Sequence, residues 1–135
     1  MRTAIFDYIS AIPRATLGTY TLSTELPWEQ NGQPLYLNNL KTIYVDVDQT
    51  SQEPLYNVLN FADPLDEITT VRVYFVNDAK QLPSNYESLV AEIKDARNAT
   101  GTEGYVDKVC QVSTEFSADR LITTFEFSFK KLLTN

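Results

Sequence analysis

The sequence predicts an α+β fold, in which a mainly antiparallel sheet carries an N-terminal helix and a second helix on one face and ends in a β-hairpin. Three observations support this prediction. Several segments alternate apolar and polar residues with a period of two, which is typical of half-buried strands. Helical periodicity occurs in only two segments. The strand patterns follow one another with few helices between them, which favours an antiparallel sheet over a doubly wound parallel one.

An amphipathic helix is expected to open the chain. Within residues 2–12 four apolar side chains share one helical face, namely Ile5, Phe6, Ile9 and Ile12. Pro13 is expected to stop this helix, because proline lacks a backbone N–H and its ring clashes with the preceding turn. Residues 18–26 are rich in Tyr and Thr, which favours a strand.

Residues 27–39 are expected to form a loop, since they contain two prolines and a glycine. This loop carries three large side chains, Trp28, Tyr36 and Leu37. Aromatic residues in loops anchor protein interfaces when they are exposed, so these three are candidate partner contacts. Trp28 fits equally well as a residue that closes one end of the core, and both interpretations stay open.

Residues 41–48 alternate strictly and predict a half-buried strand. Ile43, Val45 and Val47 are expected on its buried face, and Tyr44, Asp46 and Asp48 on the other. Two carboxylates on one strand face could bind a hard cation, but a metal site needs further oxygen ligands that the spacing does not identify. We therefore assign no metal and interpret the two carboxylates as a solvated strand face.

Residues 49–66 are polar and contain two prolines, so we expect a long excursion with at most a brief strand or turn. Four acidic residues lie in it or beside it, namely Glu53, Asp63, Asp66 and Glu67. An acidic loop could meet a basic partner, which makes Asp63 and Asp66 candidate contacts. The alternative is that they are ordinary soluble surface.

The second half of the chain is expected to hold a central strand, a helix and a hairpin. Residues 67–77 alternate as a strand. A helix is expected to begin at Ser84, because Ser84 and Glu87 match the capping-box pattern. Its buried stripe would comprise Leu89, Val90, Ile93 and Ala96.

Two long strands, residues 105–116 and 121–132, are expected to close the chain as an antiparallel hairpin around a four-residue turn. On the last strand the alternate residues form one face, namely Leu121, Thr123, Phe125, Phe127 and Phe129. Four of these five side chains are large and apolar, so this face is expected to supply much of the core.

The length and charge of the chain limit its functions. Its 135 residues fit a single domain, residues 1–135. It carries 11 basic and 18 acidic residues, a formal net charge of −7, which disfavours specific nucleic-acid binding and attraction to an anionic membrane. We find no signal-peptide pattern and no membrane-spanning apolar stretch, so we expect a reducing, cytoplasm-like compartment.

The residue types narrow the chemistry further. The chain has no histidine, which removes His-assisted nucleophilic triads, His metal ligands and His proton shuttles. The single cysteine, Cys110, can form no internal disulfide and is expected to be a small buried hydrophobe. We therefore predict no enzyme and no cofactor, and we expect the protein to bind other protein chains.

The order of elements resembles the tail terminator proteins of long-tailed bacteriophages, of the minor tail protein U type. The resemblance rests on the short N-terminal helix, on the central strand EITTVRVYFV with the helix SNYESLVAEIKDAR after it, and on the last strand DRLITTFEFSFKKL near the terminus. It covers most of the chain but includes no residue motif, so no functional residue is carried over. The long segment 49–66 departs from the typical member.

The resemblance implies an α+β subunit that is not an enzyme and uses no cofactor. Such subunits form a ring, a hexamer, on the finished tail tube, which stops tube polymerisation and offers a surface for joining the head. The implied partners are further copies of the chain, the tail tube protein and a head-completion or neck protein. The implied location is the tail or neck of a virion that is assembled in the host cytoplasm.

Two other functions stay open at this point. A head-side neck or tail-completion protein would have the same size and α+β character. A small-ligand-binding or enzymatic α+β domain belongs to a different class, and it would need polar groups that converge in a cavity. Carboxylate acid–base chemistry does not require histidine, so a deep pocket with paired carboxylates would support this last function.

Overall fold

A computed structural model describes residues 1–18, 20–23, 41–54, 65–117 and 119–133. The described elements, in chain order, are α1 (Arg2–Ser10), α2 (Arg14–Leu17), β1 (Thr21–Ser23), β2 (Thr42–Val45), β3 (Gln49–Pro54), β4 (Leu65–Asp78), α3 (Tyr86–Lys94), a 3₁₀ turn (Asp95–Asn98), β5 (Asp107–Ser117) and β6 (Arg120–Leu133).

These strands form one sheet in the order β1-β2-β4-β6-β5, and β3 pairs with β4 beyond the end of β2. The β1–β2 pair is parallel, and every other pair is antiparallel. The predicted α+β fold with a mainly antiparallel sheet and a closing hairpin is therefore confirmed.

The sheet is built around β4 and β6, which pair along their full length from Leu65–Leu133 to Asp78–Arg120. Their alternate apolar residues, with those of α1 and α3, form the main core on one face of the sheet, which we call the helix-covered face. Its largest fully buried side chains from the sheet are Phe75, Phe125, Phe127 and Phe129. The predicted buried face of the last strand is thus confirmed.

The N-terminal helix ends at Ser10, before Pro13, as predicted. Pro13 also begins a second helix that the sequence did not indicate to us, because the backbone N–H groups of Thr16 and Leu17 both donate to its carbonyl oxygen, each at 2.9 Å. Proline suits the first turn of a helix, where its missing N–H costs nothing. Pro13 therefore lies between the two helices, after the end of α1 and immediately before the first residue of α2.

Strand β2 does not follow the simple alternation of buried and exposed residues that the sequence predicted. Val47 is 48% exposed instead of buried, and Tyr44 is 4% exposed instead of facing solvent. The strand ends at Val45, and residues 46–48 interrupt the ladder before β3 resumes it, which breaks the period of two. Tyr44 is buried because a second apolar cluster lies on the other face of the sheet, formed by Tyr44, Tyr74, Val76 and Ile122.

The segment predicted as a long excursion begins with a full strand. Strand β3 pairs with β4 from Gln49–Thr70 to Pro54–Leu65. Its residues are mostly polar, so the pairing comes from the long neighbouring strand rather than from apolar alternation. Residues 55–64 lie outside the described part of the chain.

Helix α3 begins at Tyr86, two residues later than predicted, and the expected capping box of Ser84 and Glu87 is wrong. Asn85 is the N-cap residue, but its side chain makes no cap hydrogen bond. Its amide Nδ2 instead donates to the carbonyl oxygen of Thr16, at 2.7 Å. The side chain therefore ties the start of α3 to α2 instead of capping its own helix.

The turn of the closing hairpin is shorter than predicted. The ladder extends to the pair Ser117–Arg120, so two residues rather than four connect the strands. Asp119 has a positive φ of 64°. Two-residue hairpin loops favour such left-handed residues, and aspartate tolerates this conformation better than most residues do.

Candidate protein-contact surface

Four of the five predicted partner contacts, Trp28, Tyr36, Leu37 and Asp63, lie outside the described residues. The fifth, Asp66, lies in β4, between Glu53 of β3 and Leu132 of β6 in the strand register. Asp66 therefore belongs to an interior strand rather than to the predicted loop.

The clearest candidate contact in the described structure is β5, which lies at one end of the sheet. Among the described residues β6 alone pairs with it, so its other edge carries backbone groups without strand partners. Three of its apolar side chains are exposed, namely Val109 at 40%, Val112 at 38% and Phe116 at 73%. A long edge strand with exposed apolar side chains is a template for pairing with another chain.

The exposure of this strand follows from the limits of the helix layer. Phe116 lies opposite Leu121 in the ladder, and Val112 lies opposite Phe125. Leu121 and Phe125 are 6% and 0% exposed, although their neighbours on β5 are open to solvent. The helical layer therefore reaches Cys110 on β5 but does not cover Val112 and Phe116, which form an uncovered rim of the helix-covered face.

Sequence reasoning identified this segment as a strand but did not select it as a contact. Its pattern of polar and apolar residues is ordinary for a half-buried strand. The sequence gives one indication of exposure: in residues 111–117 polar residues occur on both faces of the strand, so neither face is continuously apolar. That signal is weak, because it does not say whether the strand lies at the edge of the sheet.

Cys110 is the exception on β5, since it is 6% exposed and faces Phe127 in the ladder. Burial raises the pKa of its thiol from 9.0 to about 11, against a smaller opposite effect of Lys94 and Arg97. The predicted buried position of Cys110 is confirmed, and its thiol is poorly suited to act as a nucleophile.

We expect the thiol of Cys110 in the native protein to react with an aromatic disulfide reagent at pH 8 at least about 100-fold more slowly than in the urea-unfolded chain. A pKa higher by about two units leaves about 100-fold less thiolate, and burial slows access further. The variant Phe116→Cys is the control, because its additional thiol on the same strand should react rapidly. Equal rates for native and unfolded wild-type protein would contradict the expectation.

The carboxylates of Asp46 and Asp48 do not converge as a cation site in the described structure. Asp46 Oδ1 accepts a hydrogen bond from the backbone N–H of Val47, at 2.6 Å. Asp48 Oδ2 accepts one from the amino group of Met1, at 2.9 Å, and this hydrogen bond lowers the pKa of Asp48. The described residues contain no group of three or more Cys, Asp or Glu side chains that could hold a metal ion.

A cavity of about 350 Å³ lies between α2, the start of β2 and the loop before α3. Asn77 lies at its wall and is buried, and the hydroxyl of Tyr20 donates to Asn77 Oδ1. Asp78 is the one carboxylate among the described lining residues. The paired carboxylates that would support a hydrolytic or acid–base function are therefore not present in this part of the structure.

No helix in the described ranges is long and apolar enough to span a membrane. The fold of the chain is similar to that of a chain in the solved structure of the virion of a native gene transfer agent particle. The TM-score is 0.59 at 11% sequence identity, and the match covers 98% of this chain and 95% of the other. No protein-family model and no curated protein matches the sequence. The similarity establishes a shared fold along nearly the whole of both chains.

Proposed function

We propose that this protein is a structural subunit of a phage-like virion and that it acts as a tail terminator. The fold shared with a virion chain, over nearly the full length of both chains, is the observation that carries this proposal. In this role the protein forms a ring, a hexamer, on the end of the tail tube. The ring stops tube polymerisation and provides the surface on which the head joins.

The described surface supports an assembly role rather than catalysis. The edge strand β5 exposes three apolar side chains and a row of backbone hydrogen-bonding groups, which are features of strand-mediated protein contacts. The partners in this proposal are other copies of the chain, the tail tube protein and a head-completion or neck protein. The protein then resides in the virion, after assembly in the host cytoplasm, without an enzymatic activity or a cofactor.

Deleting the gene in the virus or particle system that encodes this protein tests the proposal. We expect tails of uncontrolled, increased length that carry no heads, because nothing stops the growing tube. Electron microscopy of the lysate gives the distribution of tail lengths, and supplying the protein from a plasmid should restore the normal length and head attachment.

The same experiment separates the terminator from a head-side neck protein. Tails of normal length that remain unattached to heads would reject the terminator role and favour the neck role. Normal particles in the deletion strain would reject both.

A further inference from the structure

We infer that the edge strand β5 is a self-association site, at which two copies of the chain pair their β5 strands antiparallel about a two-fold axis at Val112. This contact is isologous, so it closes on a dimer and does not build a ring. It concerns the free protein before assembly, and it does not rest on the proposed terminator function.

The backbone of β5 provides the first part of the argument. In an antiparallel ladder, every second residue directs its N–H and C=O groups to the neighbouring strand, and the residues between them direct theirs away. Strand β5 has 11 residues, and in the described structure it bonds to β6 alone. Natural proteins cover or block edges of this length, because an open edge pairs with any suitable strand.

The side chains add an apolar surface that a second copy can cover. Val112 and Phe116 point to the helix-covered face, next to the buried Leu121 and Phe125 of β6. An added strand would extend the sheet beside them and continue that face outward. Phe116 is 73% exposed, so covering it would remove the largest apolar area on this strand from water.

The length of the overlap and the charges on β5 together select one register for the pairing. A two-fold axis normal to the sheet keeps each side chain on the same face in both copies. Residues that lie opposite each other must therefore share a face, so the possible registers differ by steps of two residues. Centring the axis on Val112 overlaps all 11 residues and places no like charges opposite each other. One step in one direction sets Asp107 opposite Glu115, and one step in the other leaves only residues 109–117 of each strand paired. Opposed carboxylates are unfavourable in a sheet, and a shorter ladder forms fewer hydrogen bonds, so both neighbouring registers are disfavoured.

The selected register also matches the apolar side chains. Val112 lies opposite Val112 of the second copy, on the axis. Lys108 lies opposite Phe116 of the second copy, where its methylene stem can cover the ring and its ammonium group can remain in water. Each copy contributes both residues, so the pair of contacts occurs twice in the dimer.

A cysteine cross-link at the axis tests this geometry directly. In the selected register the two Cα atoms of residue 112 are about 4.5–5.5 Å apart, within the range of a disulfide. We expect Val112→Cys to form a covalent dimer under mild oxidation. Val106→Cys is the matched control, because Val106 is 73% exposed but its two copies lie about 40 Å apart in this dimer. The two native Cys110 thiols would be about 13 Å apart, so wild-type protein should not cross-link.

A charge at the axis gives the second test. Size-exclusion chromatography with light scattering should give a mass near twice the chain mass of 15.3 kDa for wild-type protein and for Val106→Lys. Val112→Lys places two ammonium groups opposite each other, and we expect its dimer dissociation constant to rise at least about tenfold. Circular dichroism checks that each variant remains folded.

The inference is overturned if wild-type protein is monomeric at the highest soluble concentration, if Val112→Lys dimerises as well as wild type, or if Val106→Cys cross-links as readily as Val112→Cys. A ring-sized mass for the free chain would overturn the dimer and would support the terminator proposal. Conversely, a specific Val112→Cys cross-link together with normal tails in the deletion strain would support the dimer and reject the terminator.

Discussion

Replacing Phe127 with alanine is expected to lower the free energy of unfolding by about 3–5 kcal/mol, the usual cost of emptying a phenylalanine site in a core. Phe127 is fully buried, and its ring stacks between those of Phe125 and Phe129, with ring centroids 6.4 Å apart on each side. Its neighbours in the ladder are Val71 on β4 and Cys110 on β5. The cavity would therefore open at the centre of the sheet, where rigid strands on both sides limit collapse.

Urea denaturation followed by circular dichroism measures this loss. The matched control is Phe116→Ala on the same hairpin, because Phe116 is 73% exposed and its removal opens no cavity. At a protein concentration low enough to keep the chain monomeric, we expect the control to change the free energy of unfolding by no more than about 0.5 kcal/mol. Similar losses for the two variants would contradict the assignment of Phe127 to the core.

Replacing Tyr20 with phenylalanine is expected to lower the free energy of unfolding by about 1–3 kcal/mol. The ring of Tyr20 packs on Phe75 with centroids 4.7 Å apart, and phenylalanine keeps that contact. The substitution removes the hydroxyl that donates to Asn77 Oδ1. Asn77 is 1% exposed and its Nδ2 already has no hydrogen-bond partner, so the variant leaves a buried amide without this bond.

The double variant Tyr20→Phe with Asn77→Leu serves as the control for this interpretation. It replaces both polar partners by apolar groups of similar shape, which costs less than leaving one polar group unsatisfied. We therefore expect the double variant to be more stable than Tyr20→Phe alone, as measured by urea denaturation. Additive losses from the two substitutions would contradict the proposed coupling.

The environment of Tyr20 also makes the stability of the protein depend on pH in the alkaline range. Burial, with a smaller effect of the nearby Tyr86, raises the pKa of Tyr20 from 10.0 to about 12. As the pH rises, the unfolded chain loses the Tyr20 proton before the folded chain does. The protonated hydroxyl therefore stabilises the fold fully below pH 10, and this stabilisation is lost as the pH rises towards 12. The stability of Tyr20→Phe should therefore fall less steeply than that of wild type over this interval.

The sequence was most informative where the local pattern and the final environment agree. Ile5 and Ile9 share a helical face and are fully buried, and the alternate phenylalanines of β6 all point to the core. In both cases the period of the apolar residues indicates which face packs against the main core. The absence of histidine and the single buried cysteine likewise follow from the sequence and limit the available chemistry.

The local pattern was misleading where a distant element changed the environment. Tyr44 was expected in solvent, but Tyr74, Val76 and Ile122 enclose it on the second face of the sheet. Asn85 starts α3 because its amide bonds to Thr16, 69 residues earlier in the chain, and the capping pattern at Ser84 does not form. Tertiary contacts overrode the propensity in each case.

The sequence alone therefore determined the fold class, the buried face of the last strand and the absence of His-based chemistry, since these depend on residue types and on the spacing of near neighbours. Only the tertiary structure decided that β5 lies at the edge of the sheet. It also decided that Val112 and Phe116 are exposed while their ladder neighbours Leu121 and Phe125 are buried. Strand order depends on which distant segments pair, and residues within one strand do not encode it. The candidate contact surface is a consequence of that order, which explains why the pattern of β5 by itself did not identify it.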